Sequence, residues 1–191
     1  MVIKPAKKKK KAIFLDRDGV INREVDNLKS INQLRLLPYV SQAIKKFNQS
    51  GFLVIVITNQ PVIARGWIDE IELQNIHKEL VNRLKKRGAK IDAIYYCPHH
   101  PNANLAKYRK DCKDRKPNIG LIKKTAKDFN ISLSDSFLIG DSTRDIQTAH
   151  NAKIKSVLVL TGHQGKDKRF DAKPDKIAPN LVKAVQVVLT A

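Results

Sequence analysis

Two aspartates one residue apart, Asp16 and Asp18, come directly after a short apolar run at Ala12–Leu15. Gly19 comes next and allows the backbone to turn. A buried strand that ends in Asp-x-Asp delivers two carboxylates to one pocket. Such a pair can bind a hard divalent cation, and its members can divide nucleophile and acid roles between them. The same residues are also common in an acidic turn after a core strand, so this stretch alone leaves both interpretations open.

The chain is strongly basic. It has 191 residues, with 37 Lys and Arg against 18 Asp and Glu, which gives a formal net charge of +19. This charge favours anionic ligands, either phosphorylated metabolites or nucleic acid. Residues 7–11 are all lysine. We predict a basic flexible tail at residues 1–11 and a single domain at residues 12–191, and a nucleic-acid-binding arm remains the alternative for the tail.

No apolar stretch approaches the roughly 20 residues of a membrane span, and the N-terminus lacks the apolar segment of a signal peptide. We therefore expect a soluble, cytoplasmic protein with no membrane partner. We also expect a monomer. The two cysteines are too few for a disulfide framework, and their neighbours indicate a metal site instead.

Strand and helix patterns alternate along the whole chain. Strands are predicted at residues 12–15, 52–57, 93–96, 137–139 and 156–160, and helices at 39–49, 69–87, 118–129, 143–151 and from 179 onward. The second strand is six apolar residues long, which is typical of a strand buried on both faces. The pattern predicts an α/β fold with a Rossmann-like open parallel sheet flanked by helices, and no large cap domain.

Ligands of such sheets bind at the carboxyl ends of the strands. Asp16, Thr58 and Asp141 each come at or directly after the end of a predicted strand, so we expect them to converge at one edge. The Thr58 hydroxyl and Asn59 could hold a phosphoryl group, and Lys116 could supply a compact positive charge. A solvated basic turn is the alternative for Lys116 and its neighbour.

Carboxylate oxygens at this edge would suit Mg²⁺. We predict that Asp16, Asp141 and a backbone carbonyl near Asp18 bind it. Asp145, one helical turn after Asp141, is either a further outer ligand or an acid in the first turn of a helix. A helix cap is the alternative function for Asp141 itself.

A loop at residues 97–117 contains Cys97, His99 and Cys112. Two thiols and an imidazole at this spacing suggest a structural Zn²⁺ site. Free thiols and ordinary loop histidines are the alternative.

Four short motifs, taken together, resemble those of the haloacid dehalogenase-like phosphatases, and they occur in the same order. They are D-R-D-G-V from Asp16, T-N from Thr58, R-K-P from Arg115 and G-D-S from Gly140. The resemblance implies that Asp16 attacks phosphorus and becomes an aspartyl phosphate. It also implies that Asp18 protonates the leaving oxygen and then activates water. We expect the neighbouring carboxylate to raise the pKa of Asp18 for this purpose.

The sequence of the cysteine loop indicates which subgroup of this family the chain resembles. C-P-H-H-P, with C-x-D-R-K-P later in the loop, is similar to the subgroup that acts on heptose bisphosphates and on histidinol phosphate. The resemblance implies Zn²⁺ bound by Cys97, His99, Cys112 and the residue at position 114. That residue is a cysteine in the subgroup and Asp114 here. Three alternatives follow: Asp114 completes a weaker zinc site, His100 completes it, or zinc is absent. Pro61 and Val62 also replace an expected Ser-Gly pair, which affects substrate contacts near Arg65.

Three basic residues, Arg65, Arg115 and Lys116, favour a substrate with a second anionic group, and a sugar bisphosphate fits this description. The resemblance therefore predicts a Mg²⁺-dependent heptose 1,7-bisphosphate 7-phosphatase, with histidinol-phosphate phosphatase as the alternative. A protein that binds nucleic acid or processes its ends, using the basic tail, is an alternative from another class.

Overall fold

A six-stranded, all-parallel sheet forms the centre of the protein, with the strand order β3-β2-β1-β4-β5-β6. The computed structural model describes residues 8–190. The strands are β1 (Ala12–Leu15), β2 (Leu53–Asn59), β3 (Ala93–Cys97), β4 (Phe137–Gly140), β5 (Lys155–Val159) and β6 (Lys176–Ala178). The helices are α1 (Val40–Gln49), α2 (Pro61–Ala64), α3 (Glu70–Lys85), α4 (Gly120–Phe129), α5 (Thr143–Ala152) and α6 (Leu181–Leu189).

The sheet is buried on both faces because its central strands are apolar on both faces. All four residues of β1 are fully buried, and their side chains alternate between two hydrophobic clusters. Ile13 and Leu15 pack on the side covered by α1, α3 and α6. Ala12 and Phe14 pack on the side covered by α4 and α5. The predicted α/β fold is therefore confirmed.

Local capping signals set the helix ends. Asp69 accepts a hydrogen bond from the Glu72 amide at 2.7 Å, while the Glu72 carboxylate accepts one from the Asp69 amide at 3.1 Å, so α3 begins with a capping box. Asn180 caps α6, which starts two residues later than we predicted from Pro179. Neither α2 nor β6 was predicted, because α2 is a single helical turn and two of the three residues of β6 are exposed, so neither shows an amphipathic pattern or a buried apolar run.

Two long connections shape the edge of the sheet where the strands end. Residues 16–39 and 98–119 each carry one short 3₁₀ turn, at Ile31–Gln33 and Ala106–Tyr108, and no further domain. The absence of a large cap in the described chain agrees with the prediction. No helix among residues 8–190 combines the length and the hydropathy that crossing a membrane requires.

Lys10 and Lys11, which we placed in a flexible tail at residues 1–11, pair with the domain. Residues 1–7 lie outside the described part of the chain. Lys10 donates its amide to the Asn130 carbonyl at 2.9 Å, and its own carbonyl accepts from Ser132 at 2.8 Å. The Lys11 ammonium lies 4.0 Å from the centre of the Phe52 ring. Lys10 and Lys11 thus extend the start of β1, because backbone pairing does not depend on an apolar side chain and a lysine stem can cover apolar surface.

Candidate functional site

Three carboxylates meet where β1 and β4 end. Asp16 comes directly after β1, Asp141 comes directly after β4, and Asp145 lies in the first turn of α5. One oxygen from each carboxylate lies within 4.8 Å of the others. The predicted convergence of Asp16 and Asp141 at the carboxyl edge of the sheet is therefore present, and Thr58 lies at the end of the neighbouring strand β2.

A buried lysine connects two of these carboxylates. The Lys116 ammonium lies 3.0 Å from Asp16 Oδ1 and 2.6 Å from Asp145 Oδ1. Burial lowers the pKa of Lys116, but Asp145 and Asp16 outweigh burial and raise it. Burial likewise raises the pKa of Asp145, and the Lys116 ammonium reverses this shift. Lys116 is consequently a fixed positive charge beside Asp16, so the solvated-turn alternative is wrong.

Asp145 also closes the start of α5. Its Oδ2 atom accepts hydrogen bonds from the Ser142 hydroxyl at 2.6 Å and from the Ser142 amide at 3.3 Å. With one oxygen on Lys116 and the other on Ser142, Asp145 orders both the lysine and the helix start. Asp145 is therefore an acid in the first turn of a helix, which was one of the two predicted alternatives. It also positions Lys116, which the sequence did not indicate.

The three carboxylates carry more negative charge than the single ammonium offsets. Burial, together with the nearby Asp145 and Asp16, raises the pKa of Asp141 to about 8. Burial also raises the pKa of Asp16 to about 6, although Lys116 opposes this shift. Closely spaced carboxylates with raised pKa values are a suitable ligand set for a hard divalent cation. The residues present therefore fit Mg²⁺.

Asp141 is held between two glycines. Its Oδ2 atom accepts a hydrogen bond from the His163 amide at 2.7 Å. Gly19 and Gly162 both have positive φ angles, and a Cβ atom at either position would overlap Asp141 Oδ2. The backbone must therefore approach this carboxylate closely, and only glycine permits the approach.

Asp18 has a different environment from the one we expected. Its carboxylate accepts three hydrogen bonds from Arg17, at 2.7 to 3.1 Å, one from Asn22 at 2.8 Å and one from Gln60 at 3.1 Å. Burial raises its pKa, but Arg17 and these donors hold the pKa below the usual value. The pKa of Asp18 is thus not raised in this structure, because Arg17 and the other hydrogen-bond donors outweigh the effect of burial.

Arg17 itself is fully buried, which sequence reasoning missed. Its guanidinium donates to Gln60 Oε1 at 3.1 Å and contacts His77 Nε2 at 3.1 Å. Burial and then Arg17 lower the pKa of His77 to about 3, so the imidazole is neutral and accepts the hydrogen bond. The only sequence signal was a charged residue inside an otherwise buried segment, which requires partners.

The last two residues of β2 have separate partners. Thr58 is buried, and its hydroxyl accepts a hydrogen bond from Gln60 Nε2 at 2.9 Å. The Asn59 side chain donates to the Lys116 carbonyl at 3.1 Å and accepts from the Lys116 amide at 3.0 Å. Asn59 therefore holds the backbone of the Lys116 loop, where we had predicted a substrate contact.

A polar pocket of about 250 Å³ opens beside Asp18 and Asn59. Its basic lining residues are Arg65, Arg115, Arg144, Arg169, His100 and His163. Arg65 donates to Asn27 at 3.0 Å, and Arg115 donates to the His99 carbonyl at 3.0 Å. Both predicted arginines thus line this pocket. Arg144 and Arg169 do so as well, and nothing in their local sequence distinguished them from other basic residues.

Three of the four predicted zinc ligands come together. Ligand atoms of Cys97, His99 and Cys112 lie within 4.8 Å of one another, and the distance from Cys97 Sγ to His99 Nδ1 is 3.8 Å. Asp114 is not part of this cluster. Its carboxylate lies against Gly120 at the start of α4, where a Cβ would overlap it. The assignment of Asp114 as a ligand is therefore not supported by the geometry.

Comparison with known proteins agrees with this site. Residues 114–184 match the HAD-hydrolase-like family. The chain is 40% identical over 143 residues to a D-glycero-beta-D-manno-heptose-1,7-bisphosphate 7-phosphatase of Rhodopseudomonas palustris, covering 75% of this chain and 79% of the relative. It is also 40% identical to an alpha-anomer 7-phosphatase of Photorhabdus laumondii, covering 80% and 84%. The chain belongs to the haloacid dehalogenase-like phosphatase family of these relatives.

Solved structures show the same similarity. The D,D-heptose 1,7-bisphosphate phosphatase of B. bronchiseptica, complexed with magnesium and phosphate, superposes with a TM-score of 0.84 at 33% identity and covers 94% of this chain and 98% of that one. The corresponding Burkholderia thailandensis enzyme has a TM-score of 0.71 at 28% identity, covering 95% and 100%.

Proposed function

We propose that this protein is a Mg²⁺-dependent phosphatase that removes the 7-phosphate of D-glycero-D-manno-heptose 1,7-bisphosphate. One observation supports the chemistry above all: the buried Lys116 ammonium lies 3.0 Å from Asp16, beside Asp141 at the carboxyl edge of the sheet. The substrate rests on relatives that are 33–40% identical over most of the chain and bear this name.

Asp16 is the proposed nucleophile. One of its carboxylate oxygens attacks phosphorus, the bond from phosphorus to the sugar oxygen breaks, and an aspartyl phosphate forms. The Lys116 ammonium orients Asp16 and offsets negative charge on the transferring group, and the Thr58 hydroxyl contributes a hydrogen bond. Asp16 and Asp141 would hold Mg²⁺ through carboxylate oxygens and Asp18 through its carbonyl. When bound, Mg²⁺ neutralises charge on the phosphoryl oxygens.

Asp18 is the proposed acid and base. It gives a proton to the leaving sugar oxygen in the first half of the reaction. It then removes a proton from the water that attacks the aspartyl phosphate, which releases phosphate and restores Asp16. The contact with Arg17 suits the second half, because it favours the carboxylate form. The negative charge of a bound phosphate ester favours protonation of Asp18 for the first half.

A structural Zn²⁺ is the second part of the proposal. Cys97, His99 and Cys112 are suitable soft ligands at one end of the long loop that carries Lys116. We expect purified protein to contain zinc, Cys112→Ala to lose it, and Asp114→Ala to retain it. Equal loss of zinc from both variants would show that Asp114 is a ligand. Absence of zinc from the purified wild-type protein would refute the zinc site.

The direct test is a phosphate-release screen in the presence of Mg²⁺. The substrates are heptose 1,7-bisphosphate, histidinol phosphate and a 5′-phosphorylated oligonucleotide. We expect the heptose bisphosphate to have the highest kcat/KM, and a preference for either other substrate would overturn the assignment. Asp16→Asn keeps the shape of the side chain but removes the nucleophile. Appreciable turnover by this variant would refute the aspartyl phosphate.

A further inference from the structure

Four arginines of the pocket lack acidic partners. Among residues 8–190, none of Arg65, Arg115, Arg144 and Arg169 forms an ion pair with a carboxylate. Burial, together with the proximity of Arg144, lowers the pKa of Arg115 to about 10, and Arg169 and Arg65 contribute in the same direction. Asp18, Glu24 and Asp26 line the same pocket, but Asp18 pairs with Arg17 and the Glu24 carboxylate lies 3.7 Å from the His163 ring. The four guanidinium groups therefore keep positive charge that a bound anion can neutralise.

The fold holds two of these arginines next to each other. Arg144 lies in the first turn of α5, beside Thr143. The Thr143 hydroxyl accepts hydrogen bonds from the amides of Arg169 and Phe170, both at 3.2 Å. The Asp167 carboxylate binds the Thr143 amide and hydroxyl at 2.7 and 2.9 Å. The loop after β5 is therefore attached to the start of α5, and Asp167, one of its acidic residues, is engaged there.

A second cavity adjoins the first at these residues. It has a volume of about 230 Å³, and Arg115, Arg144 and Arg169 line both cavities. Asp111 is the acidic residue that lines the second cavity, and it is exposed. Arg115, Arg144 and Arg169 thus line both cavities, and we call these three residues the arginine wall. Asp18 lines the first cavity, and Lys116 lines the second.

We propose that Arg144 and Arg169, together with Arg115, bind the phosphate of the substrate that does not react. This inference rests on the proposed function, because it identifies residues that make the same site specific for a bisphosphate. The reacting phosphate meets Asp16 and Lys116. The other phosphate supplies the counter-charge that the arginine wall lacks, through charge-assisted hydrogen bonds to guanidinium groups.

The test compares two substrates that differ only in the second phosphate. We expect Arg144→Gln/Arg169→Gln to raise KM for heptose 1,7-bisphosphate about tenfold or more, since hydrogen bonds to charged groups are stronger than neutral ones. The kcat/KM for heptose 7-phosphate should stay within about twofold of wild type. Equal losses on both substrates, or no loss on either, would overturn the proposal.

A matched variant controls for net charge. Arg87→Gln/Lys127→Gln removes two exposed positive charges outside both cavities, so long-range attraction of an anionic substrate falls by a similar amount. We expect this variant to keep its preference for the bisphosphate. A tenfold rise in KM for the bisphosphate in the control as well would attribute the effect to overall charge and refute a specific site.

A direct measurement of phosphate binding distinguishes a failure of the proposed anion site from a failure of the proposed phosphatase activity. Isothermal titration with inorganic phosphate, without Mg²⁺, should show binding to the wild type and at least about fivefold weaker binding to the double arginine variant. If no sugar bisphosphate is hydrolysed, the proposed function fails, while this loss of binding would still support the anion site. Unchanged phosphate affinity in the double variant refutes the anion site even if the enzyme is active.

Discussion

Replacing Asn59 by alanine tests whether this side chain binds substrate or holds the catalytic loop. The substitution removes two hydrogen bonds to the Lys116 backbone, of 3.1 and 3.0 Å, and leaves the amide and carbonyl of a buried residue without them. The expected loss in the free energy of unfolding is about 1–3 kcal/mol. For a chain of this size, that loss lowers Tm by roughly 2–10 °C.

The same substitution should affect turnover more than binding. A shift of the Lys116 ammonium by about 1 Å from Asp16 would lower kcat by roughly 10–100-fold. The assay is steady-state phosphate release with Mg²⁺, alongside thermal unfolding of the same preparations. We expect kcat to fall with KM for the bisphosphate within about threefold of wild type.

Asn151→Ala is the matched control. The Asn151 side chain donates one hydrogen bond of 3.0 Å to the Pro117 carbonyl on the same loop, but at an exposed position. We expect a change in stability within about 0.5 kcal/mol and no change in kcat. A normal Tm and kcat for Asn59→Ala, with a raised KM alone, would refute our reasoning and restore Asn59 as a substrate contact.

Three further predictions concern the carboxylates and the N-terminus. Without Mg²⁺, the pKa values of Asp16 and Asp141, about 6 and about 8 against an ordinary 3.8, mean that these two groups bind more protons in the folded state than in the unfolded state. The stability that they contribute is fully present below about pH 4 and is lost as pH rises through these values; the lowered pKa of His77 opposes this decline up to about pH 6.5 without cancelling it. Urea unfolding in EDTA should show this decline between about pH 5 and 8, saturating Mg²⁺ should reduce it, and a rise over that range would contradict it. Gly19→Ala should lower phosphate release at least about 100-fold because its Cβ would overlap Asp141. Gly51 is also at positive φ, but its Cβ would lie 3.9 Å from the Lys11 side chain without overlap, so Gly51→Ala should lose only about 1 kcal/mol of stability. Equal activities of these two variants would exclude the steric explanation. Deleting residues 1–9 should leave kcat/KM within about twofold of wild type, while deleting residues 1–11 should also lower Tm because it removes the pairing of Lys10; a large loss of activity in the shorter deletion would give the N-terminal segment a catalytic role.

The sheet was predictable because its signal is local. Runs such as residues 54–57 are apolar at every position, which indicates a strand covered on both faces. The boundaries of β1, β2, β4 and β5 fall within two residues of the predicted ones. β6 was not predictable, because two of its three residues are exposed and it pairs only at the end of the sheet.

The site was partly predictable for a related reason. A residue directly after a buried parallel strand must emerge at the carboxyl edge, so Asp16 and Asp141 had to meet there. The direction in which a side chain points at that edge is not local. Asp18 accepts a hydrogen bond from Gln60, 42 residues away, and Asn59 pairs with the Lys116 backbone 57 residues away.

The zinc loop illustrates the same limit. Cys97, His99 and Cys112 were predicted together from their residue types, and the structure brings them together. Asp114 is two residues beyond Cys112, but it lies at Gly120 because the loop has by then turned toward α4. Spacing along the chain indicates possible ligands, and only the path of the loop selects among them.

The sequence by itself determined the parallel α/β fold and the meeting of Asp16 and Asp141 at the carboxyl edge of the sheet, because both depend on buried strands and on the residues directly after them. The tertiary structure decided the hydrogen-bond partners of Asn59 and the grouping of Arg144 with Arg169. These depend on contacts between segments far apart in the chain, such as the loop after β5 bound to Thr143. The Asp-x-Asp stretch thus locates the site, and the tertiary structure buries the adjacent Arg17 against its second aspartate.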